Sequence, residues 1–342
     1  MRYLTAGESH GEGLYGIIEG LPAGLKIDTL FIDDMLKRRQ SVYGRGLRAQ
    51  TVPDVAQIMS GVSEGVTTGA PIAVIIPNGK CGKVGEFDFY RPGHADYVAD
   101  VKYGYNNAAL GAERASARET AMRTALGAIC LHFLGELGIS IKASVIQVGR
   151  AFADNLDDQA ICRVIDDAAL YGDTLGGKLR ITISGVKVGF GSHVSYDRRL
   201  DNILGGAFMS IPAVKAVENG LGTDFAYLSG KQVADCFAVD SEKITRKTNN
   251  CGGIEGGISN GEDITFTLTL KPIPSLAGIK TVTRDGKECF TEKVRGDVTA
   301  VTAACVVTQA VAALEMSRAI LDCLGGDTIE EVKDRYALKG RR

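Results

Sequence analysis

The amino-acid sequence predicts an α+β layered sandwich, and three observations carry that expectation. Residues 179–183 (LRITI) and 264–270 (ITFTLTL) alternate apolar with polar side chains, as strands with one buried and one exposed face do. Such alternation favours antiparallel sheets, because parallel strands buried on both faces read as unbroken apolar runs. The helical patterns fall in blocks rather than in strict βαβ alternation.

In chain order, residues 17–24 (IIEGLPAG) cannot form a helix, since Gly20, Pro22 and Gly24 lie too close together. Asp28 is placed to cap a helix running through Arg39, with Ile32, Met35 and Leu36 on its inner face. Residues 72–76 (IAVII) make a continuous apolar strand closed by Pro77-Asn78. Residues 116–119 (SARE) read as a capping box that opens a helix to about Leu137, stopped by Gly138. Residues 251–261 (CGGIEGGISNG) are too glycine-dense for strand or helix and read as a loop that lies against a ligand. Residues 300–324 are rich in alanine and valine and nearly free of charge before Glu315. A helix apolar on almost every side is buried, against partner helices or another subunit, and Val307 is the position expected at a subunit interface. No repeat or linker divides residues 1–342, so the chain reads as one domain.

With 45% hydrophobic and 23% charged residues, the composition is that of a globular protein with a sizeable core. A net charge of −2 offers no global field for nucleic acid or anionic membrane, so the basic residues act locally. Lys37, Arg38, Arg39, Arg45 and Arg48 follow one another with no acid between them, and Arg341-Arg342 ends the sequence. The eight cysteines are widely spaced and form no C-x-x-C pair, which argues against zinc and against a disulfide framework. The expected setting is a reducing compartment, the cytoplasm, because neither a secretory leader nor an apolar run of membrane-spanning length is read in the sequence.

Two of the four histidines sit in glycine-bearing turns: His10 in GESHG (7–11) and His94 in RPGHADY (91–97). Histidine exchanges protons near neutral pH, so both are candidate acid–base groups. GESHG matches the nucleophile elbow of serine hydrolases, but only six residues precede Gly7 and no helix can follow. Residues 11–16 match a dinucleotide fingerprint and fail for the same lack of a helix. Arg38, Arg39 and Arg45 surround a turn suited to phosphate or carboxylate, and equally suit the end of a solvated helix. Arg114 is expected at a helix N-terminus that favours an anion. His132 falls inside the helix opened by Ser116 and reads as structural, while His193 lies in a loop without an assignable role.

The ordered set GESHG, EGLPAG, RRQ-x-x-YGRG, SGV-x-x-G-x-TTGAPIA, RPGHADY, ERASARETAMR, FGSHV-x-YDRRLD, MSIPAVKAVE, GGIEGGISNGEDI and KPIPS resembles the chorismate synthase family, from Gly7 to about Asp327. The resemblance implies a β-α-β sandwich with two antiparallel sheets between helices, assembled as a homotetramer. It implies elimination of phosphate from 5-enolpyruvylshikimate 3-phosphate with reduced FMN, without net redox change. By position His10 would protonate reduced flavin, His94 the leaving phosphate, and Asp297 would help remove the ring proton. Arg39 and Arg45 match anion-binding arginines that suit the substrate or NADPH, a candidate reductant. Arg114, Ala115, Ser116, Ala213, Gly256, Lys271, Pro272, Ile273, Pro274, Ser275 and Arg295 match FMN-contacting positions. No metal is implied, and a separate flavin reductase is a candidate partner.

The sequence departs from the family pattern at three places. Asn107 and Ala109 stand where members commonly carry Asp-x-Arg, Thr299 and Thr302 replace Cys and Pro, and residues 78–84 lack the usual Asp and Trp. These departures keep open a rival reading, a diverged, non-catalytic relative that binds flavin or an anion. Intact His10, His94 and Asp297 oppose it.

Overall fold

The computed structural model describes residues 1–45, 53–79, 88–105, 107, 109–152, 158–240, 243–292 and 296–339. Two antiparallel sheets enclose a layer of helices. The first sheet contains β1 (Arg2–Gly7), β2 (Gly13–Glu19), β3 (Gln57–Ile58) and β4 (Ile72–Pro77) in the order β1-β2-β4-β3. The second contains β5 (Ser140–Val148), β6 (Ala151–Phe152), β7 (Gly177–Ser184), β8 (Val214–Asn219) and β9 (Ile264–Leu270) in the order β8-β9-β7-β5-β6. The helices are α1 (Thr29–Gln40), α2 (Asp96–Tyr103), α3 (Ala109–Ala115), α4 (Thr120–Glu136), α5 (Gln159–Leu170), α6 (Leu200–Met209), α7 (Val301–Leu324) and α8 (Ile329–Leu338). The expected β-α-β order holds, with α4 and α7 as the middle layer and the sheets outside.

Alternation fixes which face each sheet buries. In β9 the Ile264, Phe266, Leu268 and Leu270 side chains enter the core while the threonines between them stay half-exposed. In the first sheet Leu14, Ile18, Ile72, Val74 and Ile76 point inward. Gly16 completes that inner face, and a Cβ there would lie 2.5 Å from Met122 Sδ, so glycine is what lets α4 settle on the strands. The outer faces differ: the second sheet shows threonines, Lys142 and Arg180, whereas the first exposes Leu4 (70%), Tyr15 (41%) and Ile17 (48%).

The Asp28 cap forms as its sequence requires, its carboxylate accepting from the backbone N–H groups of Leu30 and Phe31. Ile32, Met35 and Leu36 are buried behind it. The SARE capping box does not form. Ser116 caps a 3₁₀ turn, Ala117–Glu119, and the Glu119 carboxylate goes instead to Thr5 and Arg123, so the α-helix starts at Thr120. Arg114 therefore stands in the last turn of the preceding helix α3, not at a helix N-terminus. The glycine-dense segment is also more ordered than expected: Ile254–Glu255 and Ile258–Ser259 pair as a short hairpin. Gly256 and Gly257, both at positive φ, make its turn.

Helix α7 corrects two expectations. It is long and apolar enough to cross a membrane, contrary to the reading of the sequence, yet 89% of its most apolar window is buried inside the fold. That burial comes from the chain itself, through α4, α6, α1 and the second sheet. Val307 is 3% exposed within one chain and is a core residue rather than an interface position. The closest approach is to α4: a Cβ on Gly127 would lie 2.5 Å from both Cβ and O of Ala310. His132, on α4, packs its ring on Phe31 at 4.9 Å between centroids and is structural.

Two glycines of α4 should respond in opposite directions. Gly127→Ala forces the two core helices apart and is expected to cost about 1–3 kcal/mol. Gly135→Ala meets no atom within 4 Å and gains helix propensity, up to about 1 kcal/mol. Urea unfolding midpoints check both; equal shifts in the same direction would refute this packing account.

Candidate active site

His10 lies in the loop that joins β1 to β2, and a carboxylate far along the chain fixes it. Glu113, 7% exposed on α3, places Oε1 2.7 Å from His10 Nδ1 and Oε2 2.8 Å from the His10 backbone nitrogen. The Ser9 N–H donates to the Glu113 carbonyl at 3.3 Å. From the other side the Asn78 amide donates to the carbonyls of Glu8 and Gly11. No nucleophile elbow exists here, because β1 is an edge strand followed by a hairpin loop.

His94 is held in the same manner by a different acid. Asp96, fully buried at the start of α2, lies 2.7 Å from His94 Nδ1. Arg91 donates to the same carboxylate through its backbone N–H, Nε and Nη2. These bonds outweigh burial and hold the Asp96 carboxyl well below the usual carboxylate range. The two histidine supports adjoin each other. Helices α2 and α3 pack so closely that a Cβ on Gly111 would lie 2.7 Å from Ala99 Cβ and 3.5 Å from the Asp96 carbonyl. Glu113 follows Gly111 by two residues.

A cluster of arginines borders the His10 loop. Arg118 grips both oxygens of Asp54 at 2.6 and 2.7 Å and donates to Asn78 Oδ1. Arg39 is 3% exposed and donates to Thr120 and to the Ala117 carbonyl, with Asp54 3.7 Å away. Burial and the adjacent Arg45 push its guanidinium below the usual value. Arg39 is thus part of the wall, and Arg45 is less deeply buried, 13% exposed against 4% for the Arg39 side chain. Arg45 pairs with Asp297, while its Nε is buried without a hydrogen-bond partner among the described residues. Arg39, Arg45 and Arg118 against Asp54 and Asp297 leave one positive charge in excess. The loop carrying Arg45 is pinned at two points, Val298 N–H to the Gly44 carbonyl and the Thr302 hydroxyl to the Tyr43 carbonyl.

Of the positions expected to contact FMN, several meet near His94. The Lys271 ammonium donates to the Gly93 carbonyl, and its backbone N–H donates to Ala213. Pro274 approaches Gly93, and the Ile273 carbonyl accepts from Thr174. Burial and neighbouring Lys215 push the Lys271 ammonium down. Ala213 holds φ +73°, a left-handed conformation that non-glycine residues rarely adopt. The 114–116 segment is placed differently. The Arg114 guanidinium donates to the Thr5 and Gly7 carbonyls of β1, and the Ser116 hydroxyl caps the Arg118 N–H. Gly256 is not brought to Ala213 within one chain: its hairpin abuts Leu200 at the start of α6, and Ala213 lies beyond the other end, about 15 Å along the helix. Arg295, Arg48 and residues 80–87 lie outside the described residues.

Sequence reasoning missed Glu113, Asp54, Arg118 and Asn78, whose partners are remote in the chain. It also missed Arg91 and Asp96, although both stand inside the RPGHADY segment already singled out for His94. Among the described residues, no group of histidines, cysteines and carboxylates has the arrangement of a metal site.

The family model for chorismate synthase matches residues 1–321. A chorismate synthase of Caldanaerobacter subterraneus subsp. tengcongensis is 46% identical, covering 98% of this chain and 97% of that protein. One of Geobacter sulfurreducens is 44% identical at the same coverage. A solved crystal structure of chorismate synthase superposes with a TM-score of 0.81 at 36% identity, over 98% of this chain and 96% of the other. The chain belongs to the chorismate synthase family.

Proposed function

We propose that the chain is a carbon–oxygen lyase that forms chorismate from 5-enolpyruvylshikimate 3-phosphate by anti-1,4-elimination of phosphate, in the pathway to aromatic amino acids. One observation carries the reading: the packed helices α2 and α3 support two carboxylate-backed histidines beside an arginine cluster with one unbalanced positive charge. An elimination of phosphate needs an acid for the leaving group, a base for the ring proton and cations for the anionic substrate. His94 is the group placed to protonate the phosphate, its Nδ1 donating to Asp96, which Arg91 holds in turn. Asp297 is the base. It is paired with Arg45, and a substrate anion competes with it for that guanidinium. No finding favours the non-catalytic alternative.

The residues around Lys271 fit a phosphorylated cofactor, FMN. Burial and then the charge of neighbouring Lys215 depress the Lys271 ammonium, a balance that a bound anion would reverse. Strained Ala213 adjoins them, and such strain collects at ligand sites. Reduced FMN, when bound, supplies transient electron density to the allylic system and ends each turnover unchanged. His10 keeps a proton at Nε2 for it. NADPH is the candidate reductant, alone or through a separate reductase, and the cytoplasm is the expected location. A homotetramer is supported by the first sheet, whose outer face carries Leu4, Tyr15 and Ile17 uncovered.

His10→Ala and His94→Ala should each lower kcat by about 10²–10⁴-fold, the range for losing a general acid or base, with circular dichroism unchanged. Full activity in either variant would remove its assigned role. Under anaerobic conditions the enzyme should make many products per chemically reduced FMN; turnover with oxidised FMN alone, or one flavin oxidised per product, refutes the cofactor reading. The same assay with NADPH replacing the chemical reductant tells whether the chain reduces its own flavin. Ile17→Lys should shift light scattering toward smaller species while leaving Tm nearly constant. A wild-type monomer at micromolar concentration would overturn the tetramer.

A further inference from the structure

Glu113 is bound to His10 more completely than catalytic-loop packing alone requires. One oxygen meets the ring nitrogen Nδ1 at 2.7 Å and the other meets the backbone N–H of the same residue at 2.8 Å. The carboxylate thus fixes the ring and the loop in a single clamp, from a nearly buried position in α3. An ionised carboxylate only accepts hydrogen bonds, so Nδ1 must carry a proton. Nε2 is then the nitrogen left for exchange with a reacting partner.

The Asp96 clamp on His94 differs in charge. Arg91 already supplies three donors to Asp96, so that acid is neutralised before the histidine is considered. Among the described ion pairs the partner of Glu113 is His10, while Arg114 is turned to β1 and Arg118 grips Asp54.

We propose that Glu113 is the positioning residue of His10: it fixes the imidazole with Nδ1 protonated, and so leaves proton exchange to Nε2, while its second oxygen holds the backbone of the same loop. The catalytic part of this statement rests on the role given to His10 above; the positioning part is independent of it.

Glu113→Gln keeps shape and burial but offers one acceptor where two donors, Nδ1–H and the His10 backbone N–H, need one each. The variant is expected to lose about 10²-fold in kcat with KM nearly constant. Glu113→Asp, which keeps two acceptor oxygens, should recover part of kcat. Nitrogen-15 NMR of histidine in the ligand-free protein should show His10 losing its fixed Nδ1–H tautomer in Glu113→Gln, with His94 unaltered. A folded Glu113→Gln protein whose His10 signals match wild type would overturn the proposal. If His10→Ala kept full kcat, the catalytic role would fail on its own, and the NMR titration would still decide the positioning.

Discussion

The close approach of α4 and α7 at Gly127 and Ala310 governs the rest of the molecule. Because no side chain separates the helices there, their backbones set the thickness of the middle layer and so the spacing of the two sheets. The same crossing places the starts of both helices on one side. The α4 start carries Thr120 and Arg118, and the α7 start follows Asp297, Val298 and Thr299. Arg39 bonds to the first group and senses the charges of Arg45 and Asp297 beside the second. The arginine cluster is therefore assembled from two helix beginnings whose relative position is fixed by core packing, about two turns away along each helix.

Buried charges make that assembly costly without a ligand. Removing one partner of a buried ion pair leaves the other uncompensated, typically at 3–5 kcal/mol, so Asp54 between Arg39 and Arg118 is a structural necessity as much as a functional one. The pairing of Arg45 with Asp297 is of a different kind. It joins two partly buried groups, 13% and 22% exposed, at the edge of the cluster rather than within its wall, so each partly screens the other from the cost of burial.

Much of the fold was legible because burial writes periodicity into the chain. The strand 264–270, the Asp28-capped helix and the apolar helix through Leu324 all follow from patterns of period 2 or 3.6. What covers a helix is not written that way: α7 reads as buried, and only the folded chain reveals that its own sheets and helices, not another subunit, do the covering. Local signals also lost to tertiary contacts where Glu119 left the capping box for Thr5 and Arg123. The histidines were visible as residues in glycine turns. Their supports were not equally hidden, since Asp96 is two residues from His94 whereas Glu113 is 103 residues from His10, and no spacing rule spans that interval.

The departures from the family pattern are explained by how the loops are held. Asn107 accepts from the Ala109 N–H and so caps α3, a task an aspartate would do equally well, worth about 1 kcal/mol. Thr299 accepts from the Val301 N–H at the start of α7, where the cap position, Ala300, has no side chain to do so. Thr302 replaces a residue without a hydroxyl or an N–H, and its hydroxyl reaches the Tyr43 carbonyl beside Arg45. Ala109 is the exception, since a buried methyl group cannot stand in for a guanidinium. The other described substitutions supply caps and loop anchors, while His10 and His94 keep the carboxylates, Glu113 and Asp96, that orient their rings.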